Sequence, residues 1–143
     1  MIFIDSYQNY LKIIDDTIYV YRVDEKYNKS IIYDYYYQVL KEYVKSNFDD
    51  FKKDMNIDFN VSVIYKDVNT YFGKCFPKRR QIILNLQLAK YDFFYIKSVI
   101  YHELTHFYYL GHQDDFYNLI EQKIPGYRII NHNLRQISYN DMY

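Results

Sequence analysis

Tyr101-His102-Glu103-Leu104-Thr105-His106, with Gly111-His112 six residues further on, gathers three of the chain's four histidines into one short stretch. Histidines at i and i+4 of a helix lie one above the other on the same face, so both rings can reach a single metal ion. Glu103 sits one position on. It flanks such an ion without sharing the axis of the two rings, which suits a general base acting on metal-bound water. A catalytic zinc usually keeps three protein ligands and one open position. His112 is the third candidate. Six residues is about one and two-thirds helical turns, so the chain must leave the helix and fold back, and Gly111 makes that reversal easy. Glu121, from the following helix, is the alternative third ligand. His132 is read as a residue that lines the cleft, not as a ligand.

Outward from this stretch, Asp92 is placed to cap a helix running to about Leu110, with Gly111 stopping it. A second helix spans Asp114 to Lys123 and ends at Pro125-Gly126, and a short basic segment with Arg128 and Arg135 follows. Upstream, Phe59 to Tyr65 alternates like a strand. Tyr71 to Phe76 and Gln81 to Leu88 read as a hairpin with Pro77-Lys78-Arg79-Arg80 at its tip. From Ser30 to about Lys53, Tyr36, Leu40, Val44, Phe48 and Phe51 recur at intervals of four and three, the stripe of a core-packing helix. Tyr10–Ile14 and Thr17–Val23 read as strands joined by the turn-favouring Asp15-Asp16. The expectation is an α+β chain of one domain over residues 1–143: strands in 1–28, a helix at 30–53, strands and a hairpin at 59–88, and metal-site helices at 92–135.

Composition narrows the function classes. The 18 Lys and Arg balance the 18 Asp and Glu, so no net field draws the chain to nucleic acid or to an anionic membrane. The 21 Tyr and 10 Phe read as compositional bias, since Tyr fills a core while its hydroxyl reaches water. Cys75 is the single cysteine, so no intramolecular disulfide forms. It reads as a small buried apolar residue rather than a reactive thiol near the metal. Lys74, Lys78, Arg79 and Arg80 read as a solvated turn rather than a nucleic-acid or anion surface. The first residues lack the basic start and apolar run of a signal peptide. Lys97, His102 and Glu103 interrupt the longest apolar stretches, so no membrane span is expected. The cytoplasm is the expected address.

The stretch from about Tyr71 to Arg135 resembles the YgjP-like metallopeptidases, relatives of the WLM and SprT-type domains. That family's pattern of H-E-L-x-H, a third His after five residues, and a Phe three residues later is matched by His102-Glu103-Leu104-Thr105-His106, His112 and Phe116. Its Pro-Asp-Tyr element appears as Pro125-Gly126-Tyr127, and its strand ending in Leu-Asn as Ile83-Leu84-Asn85. Its Arg-Trp-Gly-Ser-Cys element reads Tyr71-Phe72-Gly73-Lys74-Cys75, keeping the glycine and the cysteine. That departure bears on substrate preference, not on the metal site. The resemblance implies a zincin-like α+β domain with a small antiparallel sheet or hairpin, one Zn2+, and peptidase activity on a peptide or protein. Some relatives are linked to nucleotide hydrolysis.

Two alternatives stand beside a zinc metallopeptidase: a nucleotide phosphoanhydride hydrolase using the same site, and a metal-binding interaction module without turnover. For the peptidase, the strand Gln81 to Asn85 is the expected edge for an extended substrate. Tyr101, Tyr108 and Tyr109 are the candidates for stabilising the oxyanion, and the sequence does not choose among them.

Overall fold

Asp15 and Asp16 both adopt left-handed backbone, with φ of 49° and 63°. Two such residues make the tight turn whose twist matches paired strands. Tyr10–Ile14 (β2) and Thr17–Arg22 (β3) accordingly pair antiparallel, with Ile14 opposite Thr17. Ile2–Asp5 (β1) adds parallel to the other side of β3, giving the order β1-β3-β2. The computed structural model describes residues 1–136.

Asn28–Asp54 forms one long helix (α1). Tyr36, Leu40, Val44, Phe48 and Phe51 are all buried on one side of it, whereas Asp34, Lys41, Lys45 and Asp49 are exposed. Its first half covers the N-terminal sheet through Ile31, Ile32 and Tyr36, which close on Val20. Its second half enters a larger core with Leu84, Ile100, Leu104, Phe116 and Ile120. Leu86 and Ala89 pack against both clusters, which joins them.

The second sheet consists of Ser62–Lys66 (β4), Gly73–Phe76 (β5) and Gln81–Asn85 (β6). The expected hairpin forms: Pro77–Arg79 make one 3-10 turn, Arg80 takes φ 49°, and β5 returns antiparallel as β6. β4, however, joins the far side of β6 and runs parallel to it. Each sheet is therefore mixed rather than antiparallel. This also corrects the expected substrate edge, because Gln81–Asn85 is the middle strand. Its residues Ile82 to Asn85 are all buried, as in a strand covered on both sides. β5 is the edge strand beside the helices.

Phe93–Thr105 (α2), Asp114–Lys123 (α3) and Tyr127–Arg135 (α4) complete the order. α2 stops five residues before Leu110, with His106 as its C-cap and turns through Tyr109. Gly111 plays no left-handed part in this reversal, since Gly126 is the glycine with positive φ among the described residues. The end of α1 ties the later helices down. Tyr101 Oη donates to Asp54 Oδ2 at 2.7 Å, and Lys123 Nζ donates to the Asp54 carbonyl at 2.8 Å. The Tyr108 hydroxyl donates to the Met55 carbonyl. No helix among the described residues is long and apolar enough to cross a membrane.

The Tyr101 hydroxyl, aided by the Lys123 ammonium, holds the Asp54 carboxyl below its ordinary value. The folded state thus binds that proton less tightly than the unfolded chain does. The stability it contributes is present above the ordinary carboxylate pKa and is lost as pH falls through the depressed one. Asp54→Asn should lower the thermal midpoint at neutral pH, with the gap to wild type closing in acid. Half-exposed as it is, the pair is worth less than about 1 kcal/mol. A thermal-melt series from neutral pH to about pH 3 checks this.

Candidate metal centre

Asp92 caps α2 by accepting from the Phe94 N–H at 3.1 Å. That sets a helix whose buried face carries Ile96, Ile100 and Leu104, with His102 and the C-cap His106 on the side facing α3. The turn after α2 brings His112 back to them. The three Nε2 atoms form a nearly equilateral triangle: His102 to His112 at 3.0 Å, His106 to His112 at 3.1 Å, and His102 to His106 at 3.3 Å. Among the described residues these three form the one group able to share a metal ion. Beneath them lies Phe116, fully buried, its ring centroid 4.8 to 4.9 Å from each imidazole.

This donor set fits a divalent metal. Three nitrogens at tetrahedral angles around zinc, each at 2.0–2.1 Å, lie about 3.3 Å apart. The Tyr109 carbonyl, 3.0 Å from His106 Nδ1, can only accept, so the proton of His106 sits on Nδ1 and Nε2 presents a lone pair. Burial foremost, then the neighbouring His106 and His112, pushes His102 down to about 3. Burial also lowers His106 and His112. Imidazoles whose nitrogens converge in this way are suited to holding a cation between them.

Glu103 lies beside the triangle, 3 % exposed, and burial pushes its carboxyl up to about 8. It is held there by the close approach of the edge strand. A Cβ built on Gly73 would stand 2.7 Å from Val99 Cγ1 and 3.0 Å from Glu103 Cγ, so β5 can lie this near α2 only with glycine at that position.

Tyr127, buried at the start of α4, makes a hydrogen bond between its hydroxyl and His102 Nδ1. The ring orientation of His102 is thereby fixed from behind, as partners of ligating histidines do. Gly126 before it has φ 83°, left-handed backbone that glycine adopts without strain. Tyr127→Phe should weaken binding of a divalent metal about 10- to 100-fold, measured by competition with a chromogenic chelator, while the far-ultraviolet circular dichroism stays unchanged.

Of the other candidates, Lys74 and Cys75 line a cavity shared with the three histidines and Glu103, while Glu121, His132, Tyr101 and Tyr108 lie outside it. Glu121 spends both carboxylate oxygens on α4, accepting from the Gly126 N–H at 3.0 Å and the Arg128 N–H at 2.9 Å. It caps a helix and is outside the triangle. His132 is exposed on α4 and takes no part in the cluster. The hydroxyls of Tyr101 and Tyr108 are engaged by Asp54 and by the end of α1, away from the imidazoles. Cys75 packs half-buried against the main core, and burial pushes its thiol up to about 12, far from a reactive thiolate. The basic hairpin tip does not converge on the site: Arg79 lies over Phe76 and Arg80 over Phe59. The nucleotide alternative therefore finds no support there.

The edge strand passes over this centre with bonding groups to spare. The Asn85 N–H donates to the Phe72 carbonyl at 2.8 Å, so antiparallel alternation turns Lys74 and Phe76 toward β6. The main-chain groups of Gly73 and Cys75 then face away from the sheet. Buried Asn85 also holds the approach to β5, its Nδ2 donating to the carbonyls of Val68 at 2.8 Å and Tyr71 at 2.9 Å. Beyond Gly73, between that approach, α2 and α4, lies a cavity of about 180 Å³ lined in part by Phe72, Val99, His102, Leu134 and Arg135.

A family model described as YgjP-like, metallopeptidase domain, matches residues 5–137. No curated protein matches the chain. Solved structures that share the fold include two metallopeptidase zymogens. The metallopeptidase zymogen of Pyrococcus abyssi abylysin aligns with TM-score 0.59 and 18% identity, over 65% of this chain and 92% of that one. The metallopeptidase zymogen of Methanocaldococcus jannaschii jannalysin aligns with TM-score 0.56 and 20% identity, over 68% and 94%.

Proposed function

The chain belongs to the YgjP-like metallopeptidase family, and on that footing we propose that it is a zinc-dependent peptidase, built as one domain, whose ligands are His102, His106 and His112 and whose general base is Glu103. The observation that carries this reading is the triangle of Nε2 atoms with Glu103 buried at its side. Zinc in that position supplies a Lewis acid that polarises a peptide carbonyl and makes water acidic enough to deprotonate near neutral pH. Glu103 takes the proton from the attacking water and returns it to the leaving amine. Tyr127 and the Tyr109 carbonyl hold the imidazoles, and Phe116 keeps water from beneath them.

The substrate lies extended and antiparallel along β5, bonding to the outward main-chain groups of Gly73 and Cys75. β5 runs from Gly73, against Glu103, toward Pro77, on the side of His106. An antiparallel peptide therefore sends the residues after its scissile bond toward Phe72 and the cavity beyond. Elemental mass spectrometry of the purified chain should find about one zinc per molecule. Mixed-peptide digestion followed by mass spectrometry should show cleavage that stops on chelation and returns with zinc. A zinc-loaded chain that cleaves nothing in the mixture would sink the peptidase reading.

A further inference from the structure

The cavity on the far side of Gly73 is built for more than bulk. At about 180 Å³ it has room for roughly six water molecules at ~30 Å³ each, the scale of one side chain. Phe72, Val99 and Leu134 give it apolar walls, while Asn131 and Arg135 come from α4. Tyr127, Asn131 and Arg135 stand at i, i+4 and i+8, so one face of α4 carries the hydroxyl that meets His102, then an amide, then a guanidinium. Helical side chains lean toward the helix N-terminus. Arg135 accordingly acts electrostatically on His102, His112 and Tyr127.

Arg135 brings the one fixed positive charge among the residues lining this cavity. The ion pairs among the described residues involve Arg22, Lys29 and Lys123, and none engages Arg135. Glu103, 3 % exposed, also lines the cavity with His102 and His112, so a bound carboxylate is placed toward Arg135 and Asn131 on α4. A guanidinium among the lining residues of a recess with partly apolar walls can anchor a planar anion, and its fork matches a carboxylate. The cavity lies where the residue after the scissile bond would arrive.

We propose that this cavity selects a carboxylate on the residue that follows the scissile bond, with Arg135 as the specificity-determining group and Asn131 beside it. The inference rests on the peptidase reading for its orientation. Two sources offer the same chemistry: an acidic side chain within a longer peptide, or the free C-terminus of a chain cut one residue from its end.

The test uses the whole metal-free chain and four probes, titrated by two-dimensional NMR. Acetyl-glycyl-glutamate amide is compared with acetyl-glycyl-glutamine amide, which isolates a side-chain carboxylate. Acetyl-glycyl-alanine with a free carboxyl is compared with its amide, which isolates a terminal one. In at least one pair the carboxylate should bind about tenfold more tightly, and the pair that shows it identifies the source. Arg135→Met should reduce that ratio to about one, and Arg135→Lys should preserve part of it. Arg135 is exposed, so both variants are expected to fold, with circular dichroism as the check. Equal affinities within both pairs overturn the proposal, as does a carboxylate preference that survives Arg135→Met. Cleavage by the zinc-loaded chain separates the two readings. Cleavage without carboxylate preference leaves the peptidase standing and removes this inference. Carboxylate binding at Arg135 without any cleavage removes the peptidase and leaves the anion site.

Discussion

Glu103→Gln is expected to keep about one zinc per chain and to lower kcat by about 10²- to 10⁴-fold. The substitution preserves volume in a place that tolerates little change, since Glu103 is 3 % exposed and its Cγ faces Gly73 across a gap too small for a methyl group. What it removes is the capacity to take and return a proton. The metal-free chain offers a second reading of the same side chain that needs no substrate. Burial raises the Glu103 carboxyl from its ordinary 4.5 to about 8, so between those values the folded state holds a proton that the unfolded chain releases. The stability associated with that proton is complete below about 4.5 and is lost as pH rises toward about 8. The depressed His102, His106 and His112 add stability as pH rises toward their ordinary 6.5 in both proteins. The thermal midpoint of metal-free wild type relative to Glu103→Gln is therefore what should fall through that window. Matching pH profiles for the two proteins would mean that the carboxyl is hydrated.

The parts of the fold legible in the sequence are those set by near neighbours. The four-and-three spacing from Tyr36 to Phe51 needed no partner to be read, and the expected helix at 30–53 differs from Asn28–Asp54 only at its ends. Asp15-Asp16 and the Pro77 to Arg80 tip are turns that choose their own backbone. Illegible were the choices made between distant segments. β1 is four residues long and gains its place by lying parallel to β3, a pairing with no local mark. Which strand of the second sheet sits at the edge depends on β4 crossing to the far side of β6. In the sequence α4 shows only as a basic segment with Arg128 and Arg135. It begins at a left-handed glycine with no side-chain cap of its own, because the cap is Glu121, on the preceding helix.

The candidate site divides along the same line. His102, Glu103, His106 and His112 lie close in sequence, and their convergence followed from helical spacing and one reversal. The reversal begins with the turn through Tyr109 and continues in a bend that includes Gly111, which takes part without left-handed backbone. Gly73, Tyr127 and Arg135 act at the site from other elements, and each needed the fold to be seen. Gly73 and Tyr127 fell within stretches that resemble the family pattern. That likeness marked them without saying that one admits a carboxylate and the other holds a histidine.

His112→Ala is expected to lower zinc affinity by more than about 10²-fold, beyond the loss caused by removing a partner behind a ligand, and to abolish zinc-dependent cleavage at micromolar metal. His112 is exposed and comes from the turn before α3, so its removal leaves the core intact. Phe116 still supports the other two rings, at 4.8 Å from each. His102 and His106 then offer two nitrogens, which is too few to hold a catalytic zinc against water. The contrasting variant is Glu121→Ala. Its carboxylate is committed to the first turn of α4, so the change should cost about 1–2 kcal/mol of stability and leave the metal in place. Equilibrium dialysis against buffered zinc, followed by elemental mass spectrometry, measures both. Zinc retained by His112→Ala and lost by Glu121→Ala would mean that α4 gives up its cap for the metal, and the triangle of imidazoles would no longer describe the working site.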